Sequence, residues 1–235
     1  LKTKKIVLAV SMALNIILIG AALWIINAQG GMKFVSEQLK AVGSDKGFPE
    51  YYVQKKSIFE ALDTPEADKI FLGDSITDHG EFPEYFRDER VLNRGVAEDT
   101  SKGVLNRIDE VAGRKPKEVY VMIGVNDIAA GTSMASYKKN MERIIQSFDP
   151  KETRVVVQSI LPVNTESFNN EISNEKIHQF NETLEQLAKD NEAEYVDLHP
   201  HFEDENGQLI KAITIDGIHL KGKGYDMWVE QLENR

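Results

Sequence analysis

The chain contains no cysteine. That absence excludes disulfides, cysteine-ligated metals, a lipid-modified cysteine and a thiol nucleophile, so any covalent chemistry must use oxygen or nitrogen. Positive charge is also scarce. Lys and Arg number 28 against 38 Asp and Glu, a formal charge of −10, with no basic run to follow a phosphate backbone. Nucleic acid is therefore set aside as a partner. There is no internal repeat and no low-complexity stretch. What remains is ordinary for a globular protein: 235 residues, 41% hydrophobic and 28% charged, enough for one core and a short appendage.

The first thirty residues lack charge in a different way. After Lys2, Lys4 and Lys5 the next charged position is Lys33, and the segment from Ile6 to Ala28 is apolar apart from Ser11, Asn15, Gly20 and Asn27. As a helix rising about 1.5 Å per residue it would be roughly 34 Å long, enough to cross a hydrocarbon core of about 30 Å. The run exceeds the roughly 7–15 apolar residues of a cleaved signal peptide, and Ile26 stands where a small residue would precede a cleavage after Ala28. The expectation is an uncleaved signal anchor over residues 1–30, with the basic flank in the cytoplasm and the rest outside. Setting aside the +3 of the three lysines, the formal charge of −10 becomes −13 for the exported part. Residues 31–48 read as a stalk or linker, broken between Gly43 and Pro49, and 49–235 as the folded domain.

Within that domain PEYYVQKKSIFEAL reads as an amphipathic helix, with Tyr52, Val53, Ile58, Phe59 and Leu62 as its apolar positions. Short β-branched runs follow: KIFLGDS, RVLNRGV, EVYVMIGVND, TRVVVQSILP and AEYVDLH. They alternate with helical stretches at Asp99–Val111, Ser133–Phe148, Glu171–Asn191 and Lys223–Leu232. Strands alternating with helices imply right-handed crossovers and a parallel sheet, hence a three-layer α/β/α architecture. In such sheets ligands bind beyond the carboxyl ends of the strands. The informative residues are then Asp74-Ser75, Gly95, Gly124 to Asp127, and Pro162-Val163-Asn164.

A nucleophilic serine at Ser75 would need a base, a group to orient it, and oxyanion donors. Among five histidines, His79 follows Ser75 closely and reads as a local cap, while His178 lies in a long helix among polar neighbours. His199 and His201 flank Pro200, but no second ligand cluster accompanies them, so no metal is expected. His219 sits three residues after Asp216 in TIDGIHLKGKGY, a spacing that lets the carboxylate meet imidazole Nδ1 and leave Nε2 free. The same pair is equally a solvated aspartate and a helix-start histidine. Asn126 can offer its amide to an oxyanion, although Asn-Asp is also common turn chemistry. Gly95 either serves an unusual backbone angle or leaves an approachable N–H.

Ser75 in GDSIT, Gly95 in NRGV, Asn126 in GVND and His219 in DGIHL occur in the order of the four motif residues of the SGNH hydrolases, also called the GDSL esterase/lipase family. From about Tyr51 onward the chain resembles that family, in the branch related to platelet-activating-factor acetylhydrolase catalytic subunits. The resemblance implies a flavodoxin-like α/β/α domain. Ser75 would be nucleophile, His219 base and Asp216 its orienter, with an oxyanion hole from the N–H groups of Ser75 and Gly95 and the Asn126 amide. Asp74 and Asp127 would shape loops. One departure is visible: the family often has a second glycine before Asp-Thr, where this chain has Glu98, a residue that would narrow the site or repel anionic acyl groups.

The implied reaction is ester hydrolysis through an acyl-enzyme, requiring neither metal nor organic cofactor. With no long apolar lid between the motifs, a small acyl group such as acetate fits better than a long chain. Export points to an acylated glycan or another envelope ester. The alternatives are acyl transfer to a sugar hydroxyl by the same triad, and a tethered binding protein without activity.

Overall fold

The computed structural model describes residues 45–63, 66–167 and 172–235, with Asn15, Gly20, Trp24, Asn27 and Ala28 as isolated helical positions. The chain divides into two compact units, Leu1–Phe48 and Pro49–Arg235. The anchor expected over residues 1–30 falls almost wholly outside the described residues, as does most of the stalk. Among the described residues no helix is long and apolar enough to cross a membrane.

The second unit is an α/β fold. Helix α1 (Glu50–Ala61) leads to β1 (Lys69–Gly73), the short helices α2 (Ser75–Asp78) and α3 (Phe82–Tyr85), and β2 (Val91–Gly95). Then come α4 (Ser101–Asn106), α5 (Ile108–Gly113), β3 (Glu118–Met122), α6 (Val125–Ala129), α7 (Met134–Ile145) and β4 (Arg154–Gln158). The chain closes with α8 (Asn174–Asp190), β5 (Glu194–Val196), α9 (His199–Phe202) and α10 (Gly222–Glu233). The five strands run in the order β2-β1-β3-β4-β5, and every pairing is parallel. β1 sits between β2 and β3, where the chain's direction of winding reverses, which is where an open α/β sheet forms its crevice.

The strands are apolar on both faces because both are covered. Phe71 of β1 stands beside Tyr120 of β3 in register and stacks between it and Phe82, with ring centroids 4.7 and 3.8 Å away. Trp228 of α10 meets Phe82 edge-on at 5.1 Å and donates its indole N–H to Gln158 at 2.6 Å. On the opposite pleat Ile70, Leu72, Val119, Val121 and Val157 are fully buried, on the side where α4 packs against α7 and α7 against α8. Each such aliphatic side chain removed from water contributes about 1.5–3 kcal/mol. Helices α7 and α8 begin at serine caps: Ser133 and Ser173 accept hydrogen bonds from the N–H groups of Ser136 and Lys176.

Two local expectations change. The helix expected over Asp99–Val111 breaks at Arg107, whose buried guanidinium turns back to Asp99 Oδ2 and to the carbonyl of Gly73, at 2.9 and 3.1 Å. In α1 the buried residues are Tyr52, Lys56 and Phe59, while Ile58 is 47% exposed. Lys56 supplies the buried stem that Ile58 was expected to provide, with its ammonium 3.4 Å from Glu60.

Candidate active site

Strand β1 ends at Gly73, and Asp74 starts the next turn by accepting the Ile76 N–H at 3.0 Å as the cap of α2. Ser75 is the first residue of that helix, fixed on a buried backbone whose Ile76 carbonyl accepts from Tyr225 Oη at 2.8 Å. Asn93 of β2 clamps the far side of α2, its amide donating to the carbonyls of Thr77 and Gly80 at 2.7 Å each. The serine is thereby held by three separate segments.

The base arrives on the loop before α10. Asp216 accepts the N–H groups of Ile218 and His219 on one oxygen, at 3.0 and 2.8 Å, and faces His219 Nδ1 with the other at 2.6 Å. Gly217 lies in the left-handed region at φ 97°, which lets the loop fold back on itself. Thr214 braces it, its hydroxyl donating to the His219 carbonyl at 2.8 Å. Asn164, beyond β4, donates its N–H to the carbonyl of Gly217 at 2.8 Å. So positioned, His219 Nε2 lies 2.9 Å from Ser75 Oγ. Because the Asp216 carboxylate can only accept, the Nδ1 proton belongs to that bond and Nε2 presents its lone pair to the serine hydroxyl. Burial acts to raise the Asp216 carboxyl, but hydrogen bonds from the His219 ring and from two backbone N–H groups outweigh it and hold it below the usual range.

Asn126 stands at the start of α6, after Gly124. There φ is 144°, an angle that favours glycine, and a Cβ would also push on the tip of Ile160, with Cδ1 at 2.4 Å. The Asn126 amide donates one N–H to the carbonyl of Asp99 at 2.9 Å, leaving its second available. Gly95 is different. Its N–H donates to Asn93 Oδ1 at 2.7 Å, so it is not open to an oxyanion, which corrects the sequence expectation. Glycine is needed there because a Cβ would sit 2.0 Å from the Asp78 nitrogen, where β2 meets α2. The N–H groups of Ser75 and Glu98 make no hydrogen bond among the described residues and so stay open. Glu98 takes φ 64°, a conformation favouring glycine, at the position where the family resemblance expected one.

The neighbouring aspartates shape the loops. Asp127 accepts both the N–H and the hydroxyl of Ser101 at 2.7 Å. Asp78 gathers Tyr51 Oη at 2.6 Å, Lys55 Nζ at 2.7 Å and the Ala97 N–H at 3.3 Å, tying α1 to the serine loop. Burial pushes Asp74 up to about 7, and the nearby Asp99 and Asp127 charges add to the effect. Asp99 is raised to about 6 by burial despite Arg107 beside it, and burial also raises Asp127. Sequence reasoning missed Asn93 and placed Asn164 only at a strand end, without its bond to the histidine loop. Asn93 lies within β2 and Asn164 beyond β4, and nothing local marks an asparagine that clamps a distant loop. His79 is nearer the chemistry than expected, its ring centroid 5.2 Å from that of His219.

Residues 71–227 match the model of the GDSL-like lipase/acylhydrolase family. A curated relative, the isoamyl acetate-hydrolyzing esterase of Saccharomyces cerevisiae, is 23% identical over 165 residues, or 63% of this chain and 69% of its own length. A solved chain from Streptococcus pneumonia, described as a candidate platelet activating factor, is 28% identical with TM-score 0.72, covering 85% of this chain and 97% of its own. An acetylxylan esterase from Geobacillus stearothermophilus, solved as a catalytic mutant, is similar in fold, with 17% identity and TM-score 0.60 over 74% of this chain and 95% of its own.

Proposed function

This chain belongs to the GDSL-like lipase/acylhydrolase family and is a carboxylic ester hydrolase, and we propose that it works through an acyl-enzyme formed on Ser75. The observation that carries this is the unbroken hydrogen-bond chain from Ser75 Oγ to His219 Nε2 at 2.9 Å and from His219 Nδ1 to Asp216 at 2.6 Å. Ser75 Oγ attacks the ester carbonyl and passes its proton to His219. The tetrahedral oxyanion is met by the Ser75 N–H and the free N–H of Asn126, with the Glu98 N–H taking the place first expected for Gly95. Collapse expels the alcohol, which takes the proton from His219. A water then attacks the acyl-enzyme, gives its proton to His219, and releases the acid as Ser75 is reprotonated. His219 and Asp216 are 27% and 45% exposed at their side chains, which gives that water a path to the acyl-enzyme.

The substrate proposed is a short-chain ester, acetate foremost, on a glycan or another envelope compound. Support comes from the names of two similar proteins, an isoamyl acetate-hydrolyzing esterase and an acetylxylan esterase. The uncharged run from Ile6 to Ala28 supports a single-pass anchor that holds the domain outside a membrane. A series of p-nitrophenyl esters of increasing chain length, run beside acetylated glycans with and without an acceptor sugar, tests the reaction. Fastest turnover on acetyl esters with free acetate as product is expected, and Ser75→Ala should lose both turnover and fluorophosphonate labelling. Labelling that survives Ser75→Ala would sink the mechanism. Membrane fractionation with protease accessibility of the domain tests the anchor.

A further inference from the structure

The turn after β5 carries a histidine that the ester chemistry does not use. His199 is 2% exposed, and its backbone is fixed by Ser159, whose Oγ accepts the N–H groups of Leu198 and His199 at 2.8 and 2.9 Å. Its ring Nδ1 lies 3.0 Å from the carbonyl of Ile160, a group that can only accept. That contact assigns a proton to Nδ1, although the Asn181 amide also lies 3.4 Å from it, and turns Nε2 toward Glu203. That Nε2 is buried with no hydrogen-bond partner, and Glu203 Oε2 lies 3.5 Å from it. An unprotonated ring nitrogen facing a carboxylate calls for a cation between them, either a proton or a metal ion.

The fold supplies a third group from a distant stretch of chain. His178, on the exposed side of α8, has its ring centroid 4.5 Å from that of His199. One ligating atom from each of His178, His199 and Glu203 lies within 4.8 Å of the other two. They border a hollow of about 160 Å³ that is also lined by Glu182, Glu185 and Asp197, whose negative charge favours a cation.

We propose that His178, His199 and Glu203 form a site for a divalent transition metal, zinc foremost. Two imidazoles with one carboxylate are a nitrogen-rich set that suits zinc better than calcium or magnesium, which prefer oxygen alone. Bonds of about 2.0–2.1 Å in a tetrahedron put neighbouring ligand atoms about 3.3 Å apart, close to the 3.5 Å already between His199 and Glu203. The exposed His178 ring would be the third ligand, with water or a neighbouring carboxylate as the fourth. The Nδ1–H bond to Ile160 is the outer contact that fixes a metal-binding imidazole. Such an ion joins α8 to α9 beside the free edge strand β5. It lies three strand spacings from β1, roughly 14 Å at about 4.8 Å each, so it braces the fold without entering the ester reaction.

The test uses the full chain, without a histidine tag, stripped with chelator and titrated with zinc chloride by calorimetry, with cobalt absorption as a second readout. One zinc per chain is expected, with tetrahedral cobalt bands and a rise in Tm. His178→Ala and Glu203→Gln, both at accessible positions, should each weaken binding by at least about tenfold and abolish the rise in Tm. His201→Ala should leave affinity unchanged, and ester hydrolysis should be unchanged in His178→Ala. Absence of stoichiometric binding overturns the site, as does binding that His178→Ala leaves intact. Loss of binding in His201→Ala alone would also overturn it.

Discussion

His219 Nε2 stands 2.9 Å from Ser75 Oγ although 144 residues separate them in the chain. Neither residue holds the other there. Ser75 is set by the end of β1 and the start of α2, and His219 by a loop braced from Asp216, Thr214 and Asn164. The contact is made by two independently anchored loops, so changes to either loop should act on kcat before they act on stability.

Asp216→Asn keeps the shape of the loop but replaces an acceptor with a group that can offer an N–H to Nδ1. The imidazole then favours the wrong tautomer. We expect a loss of roughly 10²–10⁴-fold in kcat with an unchanged circular dichroism spectrum. Steady-state kinetics on an acetyl ester measures it, and wild-type turnover in the variant would exclude Asp216 from the mechanism.

Asn126→Ala removes one side-chain oxyanion donor and also the 2.9 Å bond to the Asp99 carbonyl. A fall of about 10²–10³-fold in kcat with little change in KM is expected. A rise in KM at constant kcat would show that Asn126 binds the ground state instead.

Glu98→Gly places glycine where φ is already 64°. Removing left-handed strain should stabilise the protein by about 0.5–1 kcal/mol, net of the greater freedom of glycine in the unfolded chain. It also removes a negative charge beside the proposed oxyanion donors, so kcat/KM for an anionic ester should rise relative to a neutral one. Equal gains for both esters would remove the electrostatic part of this reading.

Asp74→Asn tests the buried carboxylates by pH. The folded-state value of Asp74, about 7, lies above its unfolded value. Its contribution to stability is therefore full below the unfolded value and is lost as pH rises through about 7. Asp99 and Asp127 act in the same direction. The unfolding free energy from urea titrations should fall between about pH 4 and 7 in the wild type and level off above, by at most about 1.4 kcal/mol per pH unit for each group. Asparagine keeps the cap on Ile76 and cannot ionise, so the decline should be shallower in the variant. An identical slope in the two proteins would place the burden on other groups.

Much of this was legible because the signals are short-range. An apolar run that stops at Gly73-Asp74-Ser75 marks a covered strand emptying into a turn. Asp216 and His219, three residues apart, need only one turn to meet. Gly95 was misread because glycine has two uses, a free N–H or a close approach, and only the Asp78 backbone lying against it distinguishes them. The break at Arg107 was hidden for a similar reason: the residues are helical in pattern, but a buried guanidinium follows its acceptors, and these lie in other segments.

The sequence by itself determined the order of the strands along the chain, the polar groups at their carboxyl ends, and the local pairing of Asp216 with His219, because period, turn chemistry and three-residue spacing are local properties. Only the tertiary structure decided which histidine meets Ser75, which N–H groups stay open, and that His178 comes beside His199. Those outcomes depend on which strand ends and helices become neighbours in the sheet, and a hydrogen-bond donor is free or spent according to what the rest of the fold brings within about 3 Å of it.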